Sequence, residues 1–200
     1  RNLLNNALAG HRATAKEVTV VDVFNACSWT RTDIVILPKD MKLAGDAVKD
    51  SEGQSVKSQR LSTGELAFLA RDIAPFSAKR FTFSAGKASS SGSASAKNNE
   101  LINGAISLSV SAITGAIESL KCKPQNIELV DTGAGPGLND YLYVAGRDPT
   151  EPQRNGPVKI SVKEQGPLVA SLLVESEAPG CNKLVRELRV IDGVDRIDII

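Results

Sequence analysis

The chain has 200 residues, enough to bury a real core in one large β domain or two smaller ones. Its 24 Lys+Arg nearly balance 23 Asp+Glu, which excludes the basic excess that a nucleic acid or an anionic membrane surface calls for. Aromatic residues are 4% of the total, too few for a single-strand stacking platform or an aromatic-lined sugar cleft.

Residues 1–14 carry Leu3, Leu4, Ala7 and Leu8 at helical spacing, with Gly10 where a helix C-cap sits, so residues 1–15 read as the tail of a helix. His11, the single histidine, falls at that helix end as a cap or surface residue. From Glu17 the period changes. Val18–Phe24 is β-branched and ends in a turn at Asn25–Ser28; Thr32–Leu37 is a second strand, closed by Pro38. Val48–Val56 contains a turn at Ser51-Glu-Gly53 and reads as a hairpin. Glu65–Ala70 and Lys79–Phe83 supply two more strands. Short strands with regular turn signals over residues 16–85 predict a small β-sandwich, with Trp29 packed between its sheets.

Gly86–Asn98 is a Ser/Gly/Ala tract without an apolar period, the composition of a flexible connector. Strand patterns resume over residues 99–200. Ala105–Val110 alternates and pairs with Ala116–Leu120 across a turn at Ile113-Thr114-Gly115. Asn126–Asp131, Tyr141–Val144, Val158–Glu164, Leu168–Glu175, Lys183–Ile191 and Val194–Ile200 follow. Turns fall at Gln165-Gly-Pro167, Pro179-Gly180 and Asp192-Gly193, the last read as a two-residue hairpin signal. Long alternating strands with charges between them predict a broad antiparallel sheet with one wet face.

Few residues suggest chemistry. The loop Gly133-Ala-Gly135-Pro-Gly137 lacks the Lys-Ser/Thr of a phosphate loop and precedes a strand, so no helix N-terminus backs it. Asp192, Asp195 and Asp198 could suggest paired glycosidase carboxylates, but Asp195 and Asp198 face opposite sides of a strand, and solvated face and turn positions account for the group. One histidine rules out a multi-histidine metal site and gives no sound Ser/His/Asp triad. Cys27, Cys122 and Cys181 are isolated and read as unpaired core thiols. Tyr141 follows the loop Leu138-Asn-Asp140 and opens a strand, where a phenol could project as a rim residue and bond a sugar hydroxyl or a carboxylate; half-buried packing is the other reading of it.

Several stretches, in order, resemble the β region of family-38 glycoside hydrolases, the retaining alpha-mannosidases. Val20–Thr32, with Ser28-Trp29 and Arg31-Thr32, resembles the stretch that opens that region. Asp50–Val56 with Ser58-Gln59 is similar to the hairpin that follows it. Leu66–Phe83 resembles the next passage, with Pro75 in place and Phe76-Ser77 where Leu-Gly is usual. Thr114-Gly-Ala-Ile117 with Ser119-Leu120, then Gln165–Leu168 and Arg186–Ile199, resemble its later strands.

The resemblance implies an all-β chain: a small β-sandwich, then the N-terminal part of a mutarotase-like supersandwich, preceded by a short helix remnant, residues 1–15, that is the end of a helical bundle. Both ends of the sequence read as cut. The resemblance further implies that zinc and the catalytic carboxylates belong to another domain of a longer parent, with a mannose-containing glycan as partner and this part inactive alone. It places Tyr141 at the sugar, since Tyr141-Leu-Tyr143 matches the family's Tyr-Leu-Phe, although Leu138-Asn-Asp140 replaces its Ser-Gly-Ala. The alternative is a non-catalytic carbohydrate-binding or adhesive β-sandwich. The enzyme reading expects little or no glycan binding by this chain alone; the alternative expects measurable binding. A supersandwich cut at Ile200 would leave open sheet edges that invite self-association.

Overall fold

The computed structural model describes residues 17–131, 133, 135–147 and 151–200. The helix expected over residues 1–15 and His11 lie outside the described residues, as do Thr132 and Ala134 of the glycine-rich loop. The described residues contain strands and turns and no helix, in the all-β class the sequence predicts.

Seven strands form the first sandwich: β1 (Val20–Asn25), β2 (Arg31–Leu37), β3 (Ala47–Lys49), β4 (Ser55–Val56), β5 (Ser58–Arg60), β6 (Leu66–Ile73) and β7 (Ser77–Ser84). One sheet has the order β1-β7-β3-β4 and the other β2-β6-β5. The expected hairpin is present, with Val48 opposite Val56 and Lys49 opposite Ser55. Leu37, Val48, Leu66, Phe68, Phe81 and Phe83 fill the space between the sheets. Phe68 sits at their centre, its ring 4.9 Å from Phe81 and 5.7 Å from Phe83, the latter nearly edge-on.

The second layer pair contains β8 (Ser95–Lys97), β9 (Glu100–Ile102), β10 (Ile106–Val110), β11 (Ile117–Cys122) and β12 (Ile127–Glu128) in one sheet. A ribbon of β13 (Leu142–Tyr143) and β14 (Gln153–Arg154) stands at one end. The facing sheet is β15 (Lys159–Gln165), β16 (Val169–Ala178), β17 (Cys181–Ile191) and β18 (Ile197–Ile199). Leu101, Leu108, Val110 and Ile117 meet Leu172, Val174, Leu188 and Val190 between the sheets. β10 and β11 pair as expected across the Thr114-Gly115 turn, with Leu108 opposite Leu120.

A third core joins the two halves. Ala67 and Leu69, on the outer face of β6, pack with Leu61, Leu168, Val169, Ile191 and Val194. That is why Leu66–Ala70 is buried at every position instead of alternating.

Five expectations are corrected. The Ser/Gly/Ala tract read as a flexible connector is ordered where it meets the second sheet. Ser95–Lys97 pairs with β9, and Ala94 and Ala96 are buried, because an alanine fits a close inter-sheet approach without needing bulk. Trp29 is 63% exposed; the inward position is taken by Asn25, whose amide donates to the carbonyls of Trp29, Ile73 and Ala74 at 2.7, 2.9 and 3.1 Å. The three cysteines are free but none is buried, so they are not core thiols.

The Asp192-Gly193 turn closes Ile191 to Val194, yet β17 and β18 first pair at Val190 and Ile197, so it is a wider loop than a two-residue hairpin. Asp192 is itself buried: it accepts from Ser93 N and Oγ at 2.9 and 2.6 Å and pairs with Lys57 at 2.5 Å. Burial opposes its charge, but the Lys57 ammonium and the Ser93 donors outweigh that and hold the carboxyl below its ordinary range.

Candidate functional site

Tyr141 lies in a polar corner at the end of the second layer pair. The loop before it is pinned to β11 by reciprocal bonds between Ile117 and Leu138, at 2.8 and 3.1 Å. Gly137 permits this approach, since a side chain there would begin 3.0 Å from the Ile117 carbonyl. Asn139 then adopts φ +61°, a left-handed conformation that asparagine tolerates better than most residues. The Arg186 guanidinium, projecting from β17, donates to the Asn139 carbonyl at 2.7 Å and the Thr114 carbonyl at 3.2 Å. It therefore ties the Tyr141 loop to the Thr114-Gly115 turn.

The next residues are fixed by β14 and by the β16–β17 hairpin. Asp140, its side chain 2% exposed, pairs with Arg154 at 2.5 Å. The ring of Tyr143 lies against Gly180, where any side chain would collide with it. Tyr141 is half-buried, and its hydroxyl donates to the Pro179 carbonyl at 2.5 Å. Burial, with the Cys181 thiol beside it, raises the phenol's pKa above its ordinary value. Its oxygen keeps acceptor capacity for a second partner. Pro179, whose carbonyl the phenol bonds, also borders an open hollow of about 400 Å³ with Gly156, Glu177, Cys181 and Asn182.

The corner also holds polar atoms that are sealed from solvent and have no bond among the described residues: Asn139 Nδ2, Asp140 Oδ1, Asn155 Oδ1, Ser176 Oγ and Arg186 Nε. Burial lowers the Arg186 pKa, and the Asp140 charge offsets part of that. The glycine-rich loop leads into this corner and supplies its close approach through Gly137. Sequence reasoning singled out Tyr141 and not Asp140, Asn155 or Arg186, which lie in the loop before β13, just after β14 and on β17 and share no local pattern. Asp195 and Asp198 lie elsewhere; Asp198 pairs with Arg196 at 2.7 Å. Among the described residues, no group of three or more His, Cys, Asp or Glu side chains is placed to hold a metal ion.

The fold defines a class of paired antiparallel β-sandwiches joined through a shared core. No protein-family profile matches the sequence, and no curated protein matches it. Solved structures do share the fold. A protein of glycosyl hydrolase family 38 from Enterococcus faecalis superposes with a TM-score of 0.57 at 17% identity, over 90% of this chain and 30% of that one. An alpha-mannosidase from Enterococcus faecalis V583 gives 0.55 at 15% identity, over 90% and 29%. The chain therefore spans somewhat under a third of the length of these neighbours, and the likeness is one of fold.

Proposed function

We propose that this chain is the β region of an alpha-mannosidase-like glycoside hydrolase, acting as scaffold and one wall of the sugar cleft of a longer polypeptide. The observation that carries this reading is the agreement of two independent signals. The fold likeness extends over 90% of the chain, and the family-like stretches occur along it in order.

In such a parent the reaction is retaining hydrolysis of an alpha-mannoside: one carboxylate forms a glycosyl-enzyme while a second carboxyl acts first as acid, then as base. Those carboxylates and a zinc ion that orients sugar hydroxyls belong to another part of the polypeptide. The contribution of this chain is positional. Tyr141, held by Pro179 and by the Arg186-braced loop, offers its phenol oxygen as acceptor to a mannose hydroxyl. In the longer enzyme, Tyr141→Phe is expected to lower kcat/KM for an aryl alpha-mannoside by about 10-fold or more, the value of one well-placed hydrogen bond. An unchanged kcat/KM would remove Tyr141 from the site.

One observation favours the alternative, a non-catalytic carbohydrate-binding module: Phe24, Trp29 and Phe76 are exposed together near one end of the first sandwich. The gene upstream discriminates the two, since an α/β domain with Asp and His zinc ligands belongs only to the enzyme. Self-association is a further part of the reading. β1, β2, β15 and β18 are edge strands, and Ile199 is 48% exposed on β18. Light scattering of the 200-residue chain is expected to show mass rising with concentration; a constant monomer mass would contradict it.

A further inference from the structure

We infer that the cleft between the β1 and β2 edges of the first sandwich is a binding subsite for a single neutral pyranose ring. β1 and β2 are edge strands of the two facing sheets, and along this side the sandwich stays open. The opening has a volume of about 190 Å³. At roughly 30 Å³ per water that is about six water volumes, room for one sugar ring and too little for a drug-sized ligand.

Its floor is apolar, from Val35, Ala70 and Ile73, and Phe24 forms a wall, 58% exposed. A pyranose has one face rich in C–H groups, which packs on such a surface, and a rim of hydroxyls that need directional partners. Arg31 and Asp33 supply that rim.

The rim is preorganised. Asp33 Oδ1 accepts from Ile34 N at 2.8 Å and from Arg196 at 2.7 Å, and Oδ2 accepts from Arg31 at 2.6 Å. Arg31 is half-exposed, with several of its five N–H donors left for hydroxyls. Arg196 also pairs with Asp198, so two arginines and two aspartates balance in charge. A neutral network favours neither an anion nor a cation; a neutral polyhydroxyl ligand matches it.

The wall is equally fixed. Buried Asn25 bonds three carbonyls through its amide and accepts from Cys27 N at 3.0 Å, which holds the Trp29 loop against Ile73 and Ala74. Phe76, 75% exposed, is kept at φ +48° beside this loop, where its N–H reaches the Cys27 carbonyl at 3.2 Å. A bulky residue in that conformation stores strain, and strain of this kind gathers at binding sites.

The inference rests on the carbohydrate-binding reading, which expects measurable glycan binding by this chain alone where the enzyme reading expects little or none. Trp29 is the only tryptophan, so its emission reports on the loop beside the cleft without labelling. The 200-residue chain is titrated with methyl alpha-mannopyranoside, following Trp29 emission and, independently, ligand-observed NMR. Saturable binding is expected with a Kd of about 1 mM, the class of a small ligand making few contacts.

Arg31→Met is expected to raise Kd about 10-fold or more with an unchanged melting temperature, since its ion pair is exposed. Phe24→Ala should weaken binding similarly, while Ile127→Ala in the second layer pair leaves it unaltered. Absence of saturation by both readouts in folded protein overturns the subsite, as does saturation that Arg31→Met and Phe24→Ala leave intact. Either result leaves the Tyr141 test of the parent enzyme standing, because that test reads turnover at the opposite half of the chain.

Discussion

Asn103→Ala is expected to destabilise the chain by about 3–4 kcal/mol, read as a lower urea midpoint at unchanged slope. The side chain is 1% exposed and fully bonded. Its amide donates to the carbonyls of Ile191 at 2.8 Å and Val194 at 3.0 Å, and its oxygen accepts from Ala105 N at 2.9 Å and Ile106 N at 2.8 Å. One residue thus closes the β9–β10 turn and ties it to the loop after β17. Alanine would remove four bonds to backbone groups in a place water reaches poorly; the Ile191 carbonyl keeps the Val194 N–H at 3.2 Å, and each group left without a partner costs about 1–3 kcal/mol before relaxation. Asn103→Asp separates the contributions. It keeps the acceptor, loses both donors and buries a charge, so its deficit should shrink as acid neutralises the carboxyl. A loss below about 1 kcal/mol for Asn103→Ala would mean that the loop finds other partners.

Gly115→Ala is expected to cost about 2–4 kcal/mol, from two separable causes. Gly115 adopts φ +72°, a left-handed conformation that strains any side chain. A Cβ there would also lie 2.5 Å from an Arg186 guanidinium nitrogen and 2.6 Å from a Val174 methyl. Gly53 provides the control, with φ +77° and nothing within 4 Å of the place a methyl group would take. Gly53→Ala should therefore cost only the backbone strain, about 1 kcal/mol. The difference between the two thermal melts measures the packing at Gly115. Equal losses would show that Arg186 gives way freely, and the brace on the Tyr141 loop would then be weak.

The turn at Gly115 shows how far a local signal reaches. The Thr-Gly-Ala-Ile pattern after an alternating strand announces a turn, and the turn is there. What it does not announce is that a buried arginine some seventy residues later closes over it. Trp29 illustrates the opposite failure: size and hydrophobicity place tryptophan inside, yet an asparagine bonded to three carbonyls occupies the inner position. Asp192 looked like a turn carboxylate in water because its neighbours in sequence are turn residues. Its partners, Lys57 and Ser93, come from far up the chain. The Ser/Gly/Ala tract carried no apolar period, and two of its alanines are nonetheless buried, because small residues suit a sheet that must approach closely.

Within the candidate site, Tyr141 drew notice in the sequence because a strand pattern follows a glycine-rich loop there; the strand itself is Leu142–Tyr143. The atoms around it were not legible. Asp140, Asn155, Ser176 and Arg186 belong to separate segments, and no spacing rule links them. The cleft at β1 and β2 was hidden for the same reason: Phe24, Arg31, Asp33 and Arg196 look like ordinary strand and surface residues until the two sheet edges are set side by side.

By itself the sequence determined the all-β class, the short strands of the first half, the long alternating strands of the second, and most of the hairpin pairings. Those follow from period-two side-chain alternation and from glycine and proline at turns, which act over a few residues. Tertiary structure alone decided that β6 is buried on both faces, that the two halves share a third core, and which polar side chains are buried rather than solvated. These depend on contacts between segments far apart in the chain, where burial and hydrogen-bond geometry outweigh local preference.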